Sequence, residues 1–301
     1  MTLVIVGPTA VGKSALALAL ARRKRAAGEA AEIVSADSML LYRGMDIGTA
    51  KPTAAERAEV PHHLVDILDV TETATVAEFQ GLARAAIADC RRRGVLPIVV
   101  GGSALYVRAV VDDFEFPGTD AGVRAELEQD LARLGPAALH QRLADVDPAA
   151  AAAILPGNGR RVVRALEVNR LTGRPFASGL PPRHYLLPDV VQVGLDVDRA
   201  TLDARIAARV NQMWAAGLVD EVRRLAGVGL REGLTAPRAL GYRQILQFLD
   251  GEVTEAEARE LTVTGTRKFA RRQDSWFRRD ERVRWLAGLA PDLTDRAYAL
   301  A

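Results

Sequence analysis

Long apolar runs are missing from this 301-residue sequence. No stretch approaches the length of a membrane span, and the first apolar run, residues 3–6, is too short for a signal peptide. Cysteine is almost absent. Cys90, beside Arg91, Arg92 and Arg93, is the one thiol, and alone it supports neither a disulfide framework nor a zinc site; it reads as an ordinary helix residue. A global excess of one charge is lacking too. Charged residues make up 26% of the chain, yet the formal net charge is +2, so a nucleic-acid surface would have to come from local clustering. These absences lead us to expect a soluble protein of the reducing cytoplasm, with no membrane partner; a monomer is expected as well. Its length suits one large or two modest domains with ample apolar content for a core.

What is present begins at once. Gly7, Pro8, Thr9, Ala10, Val11, Gly12, Lys13 and Ser14 fit the phosphate-binding loop of Gly, four residues, Gly, Lys and Ser or Thr. The β-branched run at 3–6 reads as a buried strand and residues 14–25 as a helix, so strand, loop and helix agree. Successive loop N–H groups point inward around an anion, the helix start adds partial positive charge, and Lys13 reaches the outer phosphate oxygens. Ser14 is placed to hold Mg²⁺. The loop leaves open which phosphate compound binds.

A second strand, 32–37, ends in Asp37. Ligands of open parallel sheets sit outside the carboxyl ends of the strands, where both the loop and Asp37 lie, so Asp37 is expected to face the bound phosphates. The polar loop at 42–52 is either a plain connection or a substrate-facing one. His62 and His63 open a short strand at 62–67. A metal site there is declined, because neighbouring strand side chains point to opposite faces and no cysteine or third histidine is near in sequence. Residues 75–93 read as a helix and 95–100 as a strand. A nucleoside triphosphatase places a Mg²⁺-holding acid after such a strand. This one ends in Gly101-Gly102-Ser103, and the glycines are expected to let a second backbone segment approach the ligand.

From 113 the texture turns Ala-, Leu- and Arg-rich, with helices at 121–134, 136–144, 148–154 and 158–172 and a return linker at Gly179, Leu180, Pro181 and Pro182. Arg160 and Arg164 share a face of the last of these, with Arg161 beside them. Strand character resumes at 190–197, and helices are expected from there to the end. Arg205 and Arg209, four apart, could close over a phosphate or simply face solvent. The helix at 254–279 carries Arg267, Arg271 and Arg278 on one stripe and Phe269 with Trp276 on another; it is a packed terminal helix or a phosphate-tracking RNA surface. The fold class is therefore α/β: a P-loop-type parallel sheet core flanked by helices, from 1–112 and 186–301, with an all-helical insertion at 113–185. Three functions compete: an ATP-using small-molecule kinase, a transferase that holds a pyrophosphate leaving group and acts on nucleic acid, and a nucleotide-gated RNA switch. The missing acid after residue 100, the carboxylate at Asp37 and the remote arginine clusters favour the transferase.

The ordered signatures go further. The phosphate loop, Asp37-Ser38-Met39 through residue 52, Pro61-His62-His63-Leu64-Val65-Asp66, Gly101-Gly102-Ser103-Ala104-Leu105-Tyr106, residues 161–167, Gly241-Tyr242-Arg243 and Arg271-Arg272-Gln273 to Trp276 resemble those of the tRNA dimethylallyltransferases over nearly the whole chain. The resemblance implies transfer of a dimethylallyl group from dimethylallyl diphosphate, with Mg²⁺, to the exocyclic amine of the adenosine 3′ of the anticodon, in the anticodon stem-loop of tRNA. It implies Asp37 as base and Lys13, Ser14 and Arg209 at the diphosphate. It places Asp37, Ser38, Met39, Leu40, Ser103, Arg124, Arg160, Arg161, Arg164, Gly241, Tyr242, Arg243, Arg271 and Arg272 toward the tRNA. Ser103, Leu40, Arg160 and Ser275 depart from the family's commoner residues.

Overall fold

The computed structural model describes residues 1–114, 116–176 and 182–301; the expected linker residues Gly179, Leu180 and Pro181 lie outside them. The chain forms two compact units, Met1–Asp112 with Arg183–Ala301, and Asp113–Pro182. The first unit resumes at 183 rather than 186 because Tyr185 bridges back to Asp112 and the Leu186 N–H donates to the Val111 carbonyl.

In the first unit the order is β1 (Thr2–Val6), α1 (Lys13–Ala26), β2 (Ala31–Ser35), α2 (Ala54–Glu59), β3 (His62–His63), α3 (Val76–Arg92), β4 (Leu96–Gly101) and α4 (Ala104–Val111). The second unit supplies α5 (Ala121–Val146), α6 (Pro148–Ala153) and α7 (Gly159–Thr172). The first then continues with β5 (Val190–Asp196), α8 (Arg199–Ala215), α9 (Leu218–Ala226), α10 (Tyr242–Leu249), α11 (Glu255–Phe277), β6 (Val283–Ala287) and α12 (Leu293–Tyr298).

The six strands are parallel, in the order β3-β2-β4-β1-β5-β6. All five residues of β1 are buried, as a central parallel strand with both faces covered requires. Leu3 and Ile5 pack with Leu16, Leu20 and Ile206 on one face, whereas Val4 and Val6 pack with Phe79, Ile87 and Val110 on the other. Neither neighbour of β1 is consecutive with it, so the chain leaves β1 toward one side and returns on the other, opening a crevice at its carboxyl end.

Two strand expectations are corrected. Helices do not run unbroken to the terminus: β6 pairs with β5 from Gln192↔Val283 to Asp196↔Ala287. Arg282 and Arg284 masked this edge strand, of which Val283 and Leu286 are the buried residues. The expected strand at 62–67 stops after His63, because Leu64 and Asp66 adopt positive φ of 61° and 58°.

The helical unit is built as its spacing suggests. Asp120, Asp147 and Asn158 cap α5, α6 and α7 by accepting N–H bonds from Val123, Ala150 and Arg161. Gly135, at φ 80°, kinks α5 just before Pro136. Leu127, Leu139, Leu143, Val162 and Leu166 form its separate core.

Candidate active site

The loop at 7–14 joins β1 to α1 at the carboxyl edge of the sheet. Gly12 caps α1 without a side-chain bond, leaving the helix's first N–H groups without that partner. The Lys13 ammonium donates to the Pro8 carbonyl at 2.7 Å. Burial lowers its pKa to about 8, partly offset by the Asp37 carboxylate and reinforced by the Arg209 guanidinium. An anion placed against this group would reverse that shift.

One loop amide is already engaged. The Thr9 N–H donates to Gln273 Oε1 at 2.8 Å, while Gln273 Nε2 donates to the Gly102 carbonyl at 2.8 Å. Gln273 of α11 thus ties the phosphate loop to the turn after β4. A Cβ on Gly101 would meet Ala36 at 2.7 Å, and one on Gly102 would meet the Gln273 amide at 2.4 Å. The Gly-Gly pair therefore admits a second backbone segment, at Ala36, whose carbonyl oxygen would also lie 2.7 Å from a Gly101 Cβ, and in addition the Gln273 side chain.

Two cavities open here. One, of about 540 Å³, is lined by Gly12, Lys13, Ser14, Leu40, Arg205 and Arg209 among others. The other, of about 800 Å³, is bordered by Ser38, Met39, Ser103, Gly241, Tyr242 and Arg243, with Lys268 and Arg272 of α11. Thr9, Ala10, Asp37, Thr49 and Arg209 line both. Asp37 therefore stands at the junction, two residues past β2, where its carboxylate accepts the Met39 N–H at 2.9 Å.

Arg205 and Arg209 both line the loop-side cavity. Arg205 donates to the Ala10 carbonyl at 2.9 Å and Arg209 to the Thr49 carbonyl at 3.4 Å. Burial lowers the pKa of Arg209, with Asp37 acting against it. No carboxylate pairs with Arg209 among the described residues, so its remaining N–H donors are available to an anion in the cavity.

Other expected contacts divide. Of the basic residues on α11, Lys268 and Arg272 line the cavity. Arg271 instead lies 3.7 Å from Asp203, and Arg278 pairs with Asp196 and Asp274. Tyr242 is fully buried, its hydroxyl donating to Glu221 at 2.6 Å. Burial and that carboxylate push its pKa far up, so it stays a donor. In the helical unit Arg124 and Arg164 both pair with buried Glu167, while Arg160 stays exposed at the start of α7.

The declined histidine reading also changes. His63, Glu32 and Cys90 come together from β3, β2 and α3: His63 Nε2 lies 2.7 Å from Glu32, and the Cys90 thiol donates to the same carboxylate at 3.3 Å. Distance along the chain hid this grouping. Arg93 takes Glu32 in a two-pronged bond, 2.7 and 2.8 Å, and holds its carboxyl at about 2. Burial and the Glu32 charge push the thiol up to about 12, so Cys90 stays protonated in a satisfied network. None of the three lines either cavity.

Residues 40–280 match the IPP transferase family model. A tRNA dimethylallyltransferase of Kineococcus radiotolerans is 66% identical over 97% of this chain and 91% of its own length. The chain belongs to the tRNA dimethylallyltransferase family. Its resemblance to the enzyme of Thermobifida fusca is 62% over 98% of this chain and 92% of that one. Two solved structures agree. The tRNA isopentenylpyrophosphate transferase of Bacillus halodurans aligns over 99% of this chain and 94% of its own, with TM-score 0.71 and 42% identity. A eukaryotic dimethylallyltransferase acting on tRNA aligns over 100% and 77%, with TM-score 0.81 and 25% identity. In this family member no described helix is long and apolar enough to cross a membrane.

Several participants escape sequence reasoning. Gln273 sits inside a recognised signature, but nothing local shows that it grips the loop. Lys268 and Thr49 reach the cavities only through the packing of α11 and the loop at 42–52.

Proposed function

We propose that this member of the tRNA dimethylallyltransferase family takes the dimethylallyl group from dimethylallyl diphosphate. The acceptor is the exocyclic amine of the adenosine 3′ of a tRNA anticodon. The observation that carries this reading is the position of Asp37, at the junction between the cavity holding Lys13, Ser14 and Arg209 and the wider one bordered by Ser103, Arg243 and Arg272. The diphosphate belongs with the cations and loop amides of the first. The adenine enters through the second, out of its stack.

An adenine amine is a weak nucleophile because its lone pair is delocalised into the ring. As its nitrogen bonds to the allylic carbon, the carbon–oxygen bond breaks and its electron pair leaves with the diphosphate. The amine proton passes to Asp37, which the Met39 N–H holds in place. Lys13 and Arg209 face the charge that grows on the departing oxygens, at a site where burial strengthens the interaction. Arg205 steadies the loop through the Ala10 carbonyl.

The Ser14 hydroxyl, a hard oxygen donor lining the loop-side cavity, suits Mg²⁺. Ser14 would hold the ion together with diphosphate oxygens, and the ion would neutralise leaving-group charge.

The test is incubation of the purified protein with Mg²⁺, labelled dimethylallyl diphosphate and unmodified tRNA, alongside an assay of ATP consumption over a panel of small acceptors. Label in tRNA at the adenosine beside the anticodon is expected. ATP turnover without label in tRNA would replace this reading with that of a kinase.

A further inference from the structure

Helix α9 supplies a buried carboxylate for which the reaction above has no use. Glu221 is 1% exposed and has no lysine or arginine partner among the described residues. Its charge is met by four donors. The N–H groups of Asp46 and Ile47 reach one oxygen at 3.1 and 2.8 Å; the N–H of Gly48, at 3.3 Å, and the Tyr242 hydroxyl, at 2.6 Å, reach the other. A buried carboxylate is costly unless several donors meet it, and three consecutive amides turned onto one anion fix a backbone turn in one shape.

The neighbours tighten the same turn. A Cβ on Gly48 would lie 2.4 Å from the Tyr242 ring, so only glycine lets the loop approach. The Thr49 hydroxyl donates to the Met45 carbonyl at 2.6 Å, and the buried Lys51 ammonium donates to the Tyr42 carbonyl at 2.8 Å and pairs with Asp46 at 2.7 Å. The next residue after the three amides is Thr49. Its carbonyl receives the Arg209 guanidinium, and Thr49 and Arg209 both line the junction of the two cavities.

We propose that Glu221 is a positioning residue for the transfer: it sets the turn at 46–49, so that the Thr49 carbonyl holds Arg209 toward the diphosphate. This rests on the reading that Arg209 faces the leaving group. Glu221 touches no substrate and acts through Arg209.

A double-mutant cycle on the full-length protein tests it. Glu221→Gln retains the size of the side chain but replaces an acceptor oxygen with a donor. It is expected to lower kcat about tenfold, the scale of a lost charge-assisted hydrogen bond, with KM for tRNA unchanged. Arg209→Ala lowers kcat further, and the double variant turns over within about twofold of Arg209→Ala alone, because the two changes remove one function. If the two losses multiply, Glu221 acts by a route other than Arg209 and the inference is overturned. If Arg209→Ala turns over normally, both the role of Arg209 and this inference fall. Circular dichroism checks the fold, and Tyr242→Phe, which removes one donor and spares the amides, carries the same cycle if Glu221→Gln unfolds. Its expected loss is smaller and likewise vanishes in the Arg209→Ala background; a loss that persists there overturns the inference.

Discussion

Arg124 and Arg164 in the helical unit end on a buried carboxylate, whereas Arg209 in the sheet unit ends on a carbonyl. Arg124, Arg164 and the Thr119 hydroxyl converge on Glu167, which is fully buried. Burial by itself would raise this carboxyl, but these partners outweigh it and hold it at about 2. Arg209 has no such partner among the described residues, and Lys13 beside it is held down to about 8 by burial. A guanidinium with a carboxylate partner spends its donors on the fold; one without keeps them for a ligand. The arginine clusters look alike in the sequence, and their partners separate them.

The largest effect that would break this contrast concerns the junction itself. Asp37→Ala is expected to lower turnover about 10²- to 10⁴-fold, the range of a lost general base, with tRNA affinity retained in a binding assay. Unchanged turnover would remove Asp37 from that role.

Next comes the carboxylate of the helical unit. Glu167→Ala strands Arg124 and Arg164 and should cost about 3 kcal/mol in denaturant unfolding, as removal of one partner from a buried pair does. Its pH signature is directional. The folded pKa, about 2, lies below the ordinary 4.5, so this contribution is complete above 4.5 and is lost as pH falls from there toward 2. A wild-type acid profile shared by Glu167→Ala would contradict it.

Arg209→Ala sharpens the comparison from the other side. It should lower kcat about 10²-fold while leaving the unfolding midpoint near wild type, the reverse of Glu167→Ala. Equal losses of stability in the two variants would erase the distinction.

Lys13 gives a smaller, pH-dependent effect. Its free-protein pKa of about 8 lies below the ordinary 10.5, so the ammonium is lost as pH rises through 8. Affinity for inorganic pyrophosphate, followed by calorimetry, should weaken above pH 8; a flat profile to pH 10 would show that Lys13 does not meet the anion.

The smallest effect separates residues on one helix. Neutralising Lys268 and Arg272, which line the wider cavity, should reduce the salt slope of tRNA binding by about 2, and neutralising the carboxylate-paired Arg271 and Arg278 should reduce it by less than 1. Equal slopes would mean that pairing with Asp203 and Asp196 does not withdraw those arginines from tRNA.

Much of this site is legible in the sequence because its parts are local. The phosphate loop needs a strand, eight residues and a helix in succession, and Asp37 follows from the rule that ligands meet the carboxyl ends of parallel strands. The helices of the insertion follow from local spacing in the same way, and the structure adds their caps, Asp120, Asp147 and Asn158. Pairings across the chain leave no such trace. The strand at 283–287 hides between arginines, Cys90 meets Glu32 58 residues away, and Gln273 meets Thr9 across 264. The stripe of Arg267, Arg271 and Arg278 obeys helical spacing, yet the basic residues that face the cavity are Lys268 and Arg272, because packing, not periodicity, sets how α11 is turned.

By itself the sequence determined the glycine-rich loop between the first strand and helix, the carboxylate beyond the second strand, the parallel α/β plan and the helical insertion, since each rests on short-range sterics and hydrogen bonding. Only the tertiary structure decided which cations stay free of a carboxylate, that Asp37 lies where two cavities meet, and that Glu221 pins the turn before Thr49. Those properties depend on which distant groups are packed together away from water, where an unmatched charge is costly and every donor must find its acceptor.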